Sequence, residues 1–126
     1  MPQKIIFMGT PEFSLPTLES LVNSDHKILT VYSQPANKAN RGQKVIPSKI
    51  ENFAKKNLLS VKTPDRLDTE EEYNFFKKLE PDIVVVVAYG KIIPKRFLNL
   101  AKHVLLMFML LFFQSGGEQH LFKDQL

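Results

Sequence analysis

The chain contains no cysteine among its 126 residues, which excludes disulfides, thiolate zinc sites and a cysteine nucleophile. His26, His103 and His120 are scattered and none sits at ligand spacing, so no metal centre is expected. Any apolar run of the roughly 20 residues that a membrane helix needs is also lacking, since the longest, Val104 to Phe113, is far shorter. No membrane association is expected. The opening Met-Pro-Gln-Lys leads straight into an apolar run, with no room for a secretory signal, so the cytoplasm is the expected compartment. Neither G-x-G-x-x-G nor the Gly-Lys-Ser/Thr of a phosphate-binding loop occurs, which disfavours a small nucleotide-binding module; tight binding of ATP or NAD would revive it. Internal repeats and low-complexity tracts are absent as well.

What remains is ordinary for one globular domain. The chain is 44% hydrophobic and 24% charged, long enough for a core and short for a two-domain enzyme. A net charge of +4, from 17 basic and 13 acidic residues, permits a polyanionic partner without requiring one.

Apolar runs alternate with helical periodicity. Lys4 to Gly9 reads as a buried strand that meets Thr10-Pro11, with proline near the first turn of a helix. Phe13, Leu15, Leu18, Leu21 and Val22 then recur at helical spacing. His26 to Gln34 predicts a second strand, and the polar, basic stretch from Ala36 to Val45 predicts a long loop. Ser48 caps a helix predicted to run through Asn57 with Ile50, Phe53 and Ala54 inward, and Leu59 to Lys62 is a weak third strand. Thr69 and Glu72 form a capping box for a helix to about Leu79. The run from Asp82 to Ala88 is apolar on both faces, which places it inside a parallel sheet. The alternation predicts right-handed βαβ units and a doubly wound α/β sheet.

Two segments following strands offer candidate sites. Met8-Gly9-Thr10-Pro11-Glu12-Phe13 lies where such sheets place ligands, although Gly9 by itself reads as a turn glycine rather than a phosphate cradle. Ala88-Tyr89-Gly90-Lys91-Ile92-Ile93-Pro94 is either a strand-to-helix turn or an apolar ligand wall. The loop residues Arg41 and Lys44 suit either solvent or a phosphate backbone.

In order, the blocks F-M-G-T-P-E-F, S-Q-P, N-R-G-Q-K-V-x-P-S and V-V-V-A-Y-G-K-I-I-P-K resemble consecutive blocks of the methionyl-tRNA formyltransferase family over residues 1 to about 103. The resemblance implies a Rossmann-like, mostly parallel sheet of the formyltransferase type, incomplete here, and a family reaction that moves a formyl group from 10-formyltetrahydrofolate to the amino group of initiator Met-tRNA. It further implies that Arg41 and Lys44 occupy the basic loop that contacts tRNA. By the same resemblance, Tyr89, Gly90, Ile92, Ile93 and Pro94 form the loop that packs on the folate ring, whose polar edge is read by backbone groups.

From Val104 the sequence departs from that family. Members continue into a strand within a motif close to N-V-H-A-S-L-L-P-x-W-R-G-A-A-P-I-Q-R, and a later aspartate completes an Asn-His-Asp trio that handles the developing oxyanion and the protons. No catalytic residue of that trio is found in this chain. Codons compatible with residues 104–126, read with the third base of each joined to the first two of the next, spell V-I-N-V-H-A-S-(L/F)-(L/F)-P-K-W-R-G-A-A-P-I-Q-R-S-I. Only synonymous choices are free over that length, which points to a one-nucleotide deletion between the codons of His103 and Val104. The chain is accordingly expected to divide at 103/104, into a formyltransferase-like part and an out-of-frame tail. It is expected to be a truncated, inactive enzyme with no functional cofactor, and a residual RNA- or folate-binding fragment without catalysis is the alternative. The tail is expected to expose apolar surface, and the strand from Ile83 to Ala88 to keep one uncovered side.

Overall fold

The computed structural model describes residues 2–35, 37–38 and 45–107. A sheet of five parallel strands forms its centre, in the order β5-β2-β1-β6-β7. The strands are β1 (Lys4–Gly9), β2 (Lys27–Tyr32), β5 (Val61–Lys62), β6 (Ile83–Val87) and β7 (His103–Met107). The helices are α1 (Leu15–Val22), α2 (Lys49–Lys56), α3 (Glu70–Leu79) and the short α4 (Lys95–Leu98), and a 3-10 turn at Glu12–Ser14 precedes α1. No helix among the described residues is long and apolar enough to cross a membrane.

Alternation along the strands sorts the core into two layers. Ile5 and Phe7 of β1, Val31 of β2 and Val85 and Val87 of β6 pack with Leu18 of α1 and Ile50 and Ala54 of α2. Ile6 and Met8, Tyr32, and Val84 and Val86 face the other way, onto Phe76 of α3 and Phe97 of α4. Because helices cover both faces, β1 and β6 are apolar at consecutive positions, as the run from Asp82 to Ala88 implied. The Phe76 ring stacks edge-to-face on Phe97 at 5.2 Å and lies 5.9 Å from Tyr32, so one aromatic group joins α3, α4 and β2.

Both expected caps form. Ser48 Oγ accepts from the Glu51 N–H at 3.0 Å, and Thr69 Oγ1 accepts from the Glu72 N–H at 3.2 Å. Only half of the Thr69–Glu72 capping box is built, however. The Glu72 carboxylate accepts instead from Lys62 Nζ at 2.9 Å and from the Tyr32 hydroxyl at 3.3 Å, tying α3 to the sheet. A charge-assisted bond of that kind outweighs a neutral return bond to the helix end.

Two expectations need correction. The stretch from Ala36 to Val45 is not a loop throughout, since β3 (Asn37–Lys38) and β4 (Val45–Ile46) pair antiparallel at its two ends. A polar, turn-rich segment closes readily into such a hairpin. Nor is β6 uncovered: β7 pairs with it in parallel from Ile83↔His103 to Val87↔Met107. Val104 and Leu106 pack against the aromatic layer while Leu105 is 51% exposed, so an apolar run supplies enough alternate contact to extend the sheet.

Candidate functional site

The strand order places the reversal of the sheet between β1 and β6, where open α/β sheets form a crevice outside the carboxyl strand ends. Three segments meet there: Gly9-Thr10 at the end of β1, Ser33-Gln34 after β2 and Ala88 to Pro94 after β6. Gly9 is required by proximity. A Cβ at that position would lie 2.9 Å from Phe7 Cε2 and 3.0 Å from both Ser14 Oγ and the Val87 carbonyl oxygen.

Hydrogen bonds join the three segments at one atom. The Thr10 hydroxyl donates to the Tyr89 carbonyl oxygen at 2.8 Å and accepts from the Gln34 N–H at 3.0 Å. Gln34 Nε2 donates to the same Tyr89 oxygen at 3.2 Å. The backbone on either side is left-handed, with φ +52° at Ala88 and +92° at Gly90. Side-chain space is closed at Gly90 too, since a Cβ there would collide with Gln34 Nε2.

The residues singled out in this loop have different surroundings. Tyr89 and Ile93 are fully buried in the aromatic layer, backbone included. The Tyr89 hydroxyl has no hydrogen-bond partner among the described residues, and burial, aided by the Glu72 charge, pushes its pKa well above the ordinary tyrosine value. It is therefore a neutral phenol and no proton shuttle at pH 7. Ile92 is 66% exposed and Gly90 is exposed, while Pro94 is half-buried and starts α4. Ile92 and Pro94, with Lys91, Asp65, Arg66 and Asp68, line an open depression of about 480 Å³. Within it Arg66 clasps Asp68 through two bonds of 2.9 Å, which hold the Asp68 carboxyl below the usual carboxylate range. Arg41 and Lys44 lie outside the described residues.

Sequence reasoning placed Thr10 inside a candidate segment and Gln34 in the S-Q-P block but gave neither a role, although Thr10 directly follows β1 and Gln34 lies two residues past β2, positions from which such sheets build their sites. Neither described histidine is near the crevice. His26 precedes β2, where its Nδ1 accepts from the Gln3 N–H at 2.9 Å, and His103 opens β7, so both lie at the amino ends of the strands. The described residues at the carboxyl edge therefore offer an apolar surface and a backbone donor rather than an imidazole base.

Residues 3–108 match the formyl transferase family. The chain is 50% identical over 103 residues to a methionyl-tRNA formyltransferase of Pelagibacter ubique, covering 81% of this chain and 33% of that protein. It is 45% identical over 101 residues to the enzyme of Prochlorococcus marinus, covering 79% and 31%. To that of Coxiella burnetii it is 42% identical over 99 residues, covering 79% and 32%. The chain thus spans about a third of the length of the curated relatives it matches. A parallel sheet with its crevice between β1 and β6, together with a match over most of its length, makes this chain a member of the formyl transferase family.

Proposed function

We propose that the crevice is the folate-binding half of a methionyl-tRNA formyltransferase, and that the chain binds formyl-folate without transferring the formyl group. The observation that carries the first part is the open loop at the sheet reversal, with exposed Gly90 and Ile92 beside half-buried Pro94. A pterin is flat and apolar on its faces with amide-like groups on its edge. Ile92 and Pro94 suit the faces, and the backbone at Gly90 suits the edge. Tyr89 and Ile93, buried throughout, anchor the loop in the core. When bound, 10-formyltetrahydrofolate supplies the activated one-carbon unit. This chain's residues hold and orient it.

The second part rests on residues 104–126, where the Asn-His motif is legible only in a shifted reading frame. Acyl transfer to an amine needs donors for the oxyanion and a group to move the proton, and neither imidazole among the described residues stands at this edge. Formylation of methionyl-tRNA by the purified chain is to be compared with a version restored by one inserted base. Activity only in the restored protein is the expected result; activity in the present chain would overturn the mechanism.

The matched relatives are named for acting on methionyl-tRNA, and we propose that Arg41 and Lys44 retain a contact with that polyanion in the cytoplasm. Binding is then weak and falls steeply with salt, and Arg41→Ala lowers it severalfold at low salt in a filter-binding assay. Unchanged binding by the variant would remove this role.

A further inference from the structure

Resting on the folate reading above, we infer that Thr10 and Gln34 are positioning residues that aim the Gly90 N–H at the ligand. Both lone pairs of the Tyr89 carbonyl oxygen are occupied, one by the Thr10 hydroxyl at 2.8 Å and one by Gln34 Nε2 at 3.2 Å. A planar trans peptide points its C=O and N–H in opposite directions. Fixing the Tyr89 oxygen toward β1 and β2 therefore turns the Gly90 N–H away from them. That donor has no partner among the described residues, and Gly90 is exposed.

The loop does not hold this orientation through its own preferences. Ala88 at φ +52° is a conformation that a residue with a Cβ adopts at a cost, and Gly90 at +92° lacks any side chain to lock it. The clamp comes from outside the loop, through residues 79 and 55 positions away in the sequence. Its parts are coupled, because Thr10 Oγ1 also accepts from the Gln34 N–H and so fixes the residue carrying the second donor. The contact of Gln34 with the Gly90 backbone leaves no room for a Cβ there. A hydroxyl just after β1 and an amide just after β2 thus set the direction of a third segment's N–H.

The test compares the full chain with Thr10→Val, Thr10→Ser and Gln34→Ala. Three properties are read: affinity for 5-formyltetrahydrofolate by calorimetry and, in ligand-free protein, the Tyr89 carbonyl ¹³C shift and Gly90 ¹⁵N relaxation. Thr10→Val is expected to weaken binding about tenfold, move the carbonyl shift and loosen Gly90, whereas Thr10→Ser restores all three. Gln34→Ala keeps the Thr10 bond and carries the test if Thr10→Val does not fold, with a smaller change in the same direction. Full affinity in Thr10→Val, or a Gly90 that stays ordered in it, would overturn the inference. Failure of the unsubstituted chain to bind the probe would sink the folate reading instead, and Gly90 order alone then decides whether the clamp exists.

Discussion

Gly90→Ala is the substitution whose cost the geometry specifies most closely. Two terms add. The backbone at φ +92° is one that residues with a Cβ rarely adopt, at about 1–2 kcal/mol. The new methyl also collides with Gln34 Nε2, so the amide must swing away and give up its bond to the Tyr89 oxygen, at about 0.5–1.5 kcal/mol. A loss of about 1.5–3.5 kcal/mol is expected, seen as a urea midpoint lower by about 1–2 M with the slope unchanged. The double variant Gly90→Ala with Gln34→Ala separates the terms. With the amide gone the methyl meets no Nε2, so the glycine substitution costs only its backbone part in that background, and the coupling is about 1 kcal/mol. Strict additivity would refute the collision, and a Gly90→Ala chain as stable as the parent would refute both the collision and the backbone argument.

Other consequences are direct. Tyr89→Phe removes a buried hydroxyl that has no described partner, so stability is expected to stay level or rise by about 1 kcal/mol in chemical denaturation; a clear loss would reveal an unrecognised partner. Tyr32 and Tyr89 both have raised pKa values, chiefly from burial, so the stability conferred by their neutral phenols is complete below pH about 10 and is lost as pH rises through the folded values. A pH titration of unfolding should show that alkaline loss reduced in Tyr89→Phe. The Asp82 carboxyl, held low by the Lys4 N–H at 2.9 Å, acts in the opposite sense: its contribution is present above pH about 4 and lost as acid protonates it, and Asp82→Asn should flatten the curve in that window. Phe76→Ala empties the centre of the aromatic layer and should cost about 3–5 kcal/mol by thermal or urea unfolding.

Strand β6 and the start of α3 were legible because their signals are local. Consecutive apolar residues mark an interior parallel strand, and Thr69 marks a helix start wherever the helix packs. The destination of the Glu72 carboxylate was not legible, since its partners Lys62 and Tyr32 arrive through tertiary folding. The site divides in the same way. Gly9 and Gly90 stand out as glycines after strands, but Thr10 before a proline reads as part of a helix start, and its bond to Tyr89 crosses 79 positions. The directions of Tyr89 and Ile93 were hidden because the alternation of β6 does not continue through the left-handed turn at Ala88. That turn sends Tyr89 inward and leaves Ile92 outside.

Under the frame change proposed at His103/Val104, a fold of this kind keeps its shape more easily than its chemistry. A strand of a parallel sheet is specified weakly: backbone bonds to its neighbour are independent of side-chain identity, and packing asks only for apolar groups at alternate positions. Val104 and Leu106 meet that demand against the aromatic layer, and β7 runs in unbroken register with β6 through the position of the proposed frame change. A catalytic strand has the stricter requirement of one amide and one imidazole at fixed places. Under the proposed deletion, apolar residues thus replace an Asn-His strand with the parallel pairing intact and the chemistry gone. The sheet's tolerance also has a limit at its edge, because β7 presents Leu105 at 51% exposure on its outer alternation, where a surface strand would carry a polar residue. Leu105→Lys should therefore leave urea stability within about 0.5 kcal/mol and raise the solubility limit of the purified chain. A large loss of stability would mean that Leu105 is packed rather than exposed, and that the residues after Val104 contribute more to the core than the alternation allows.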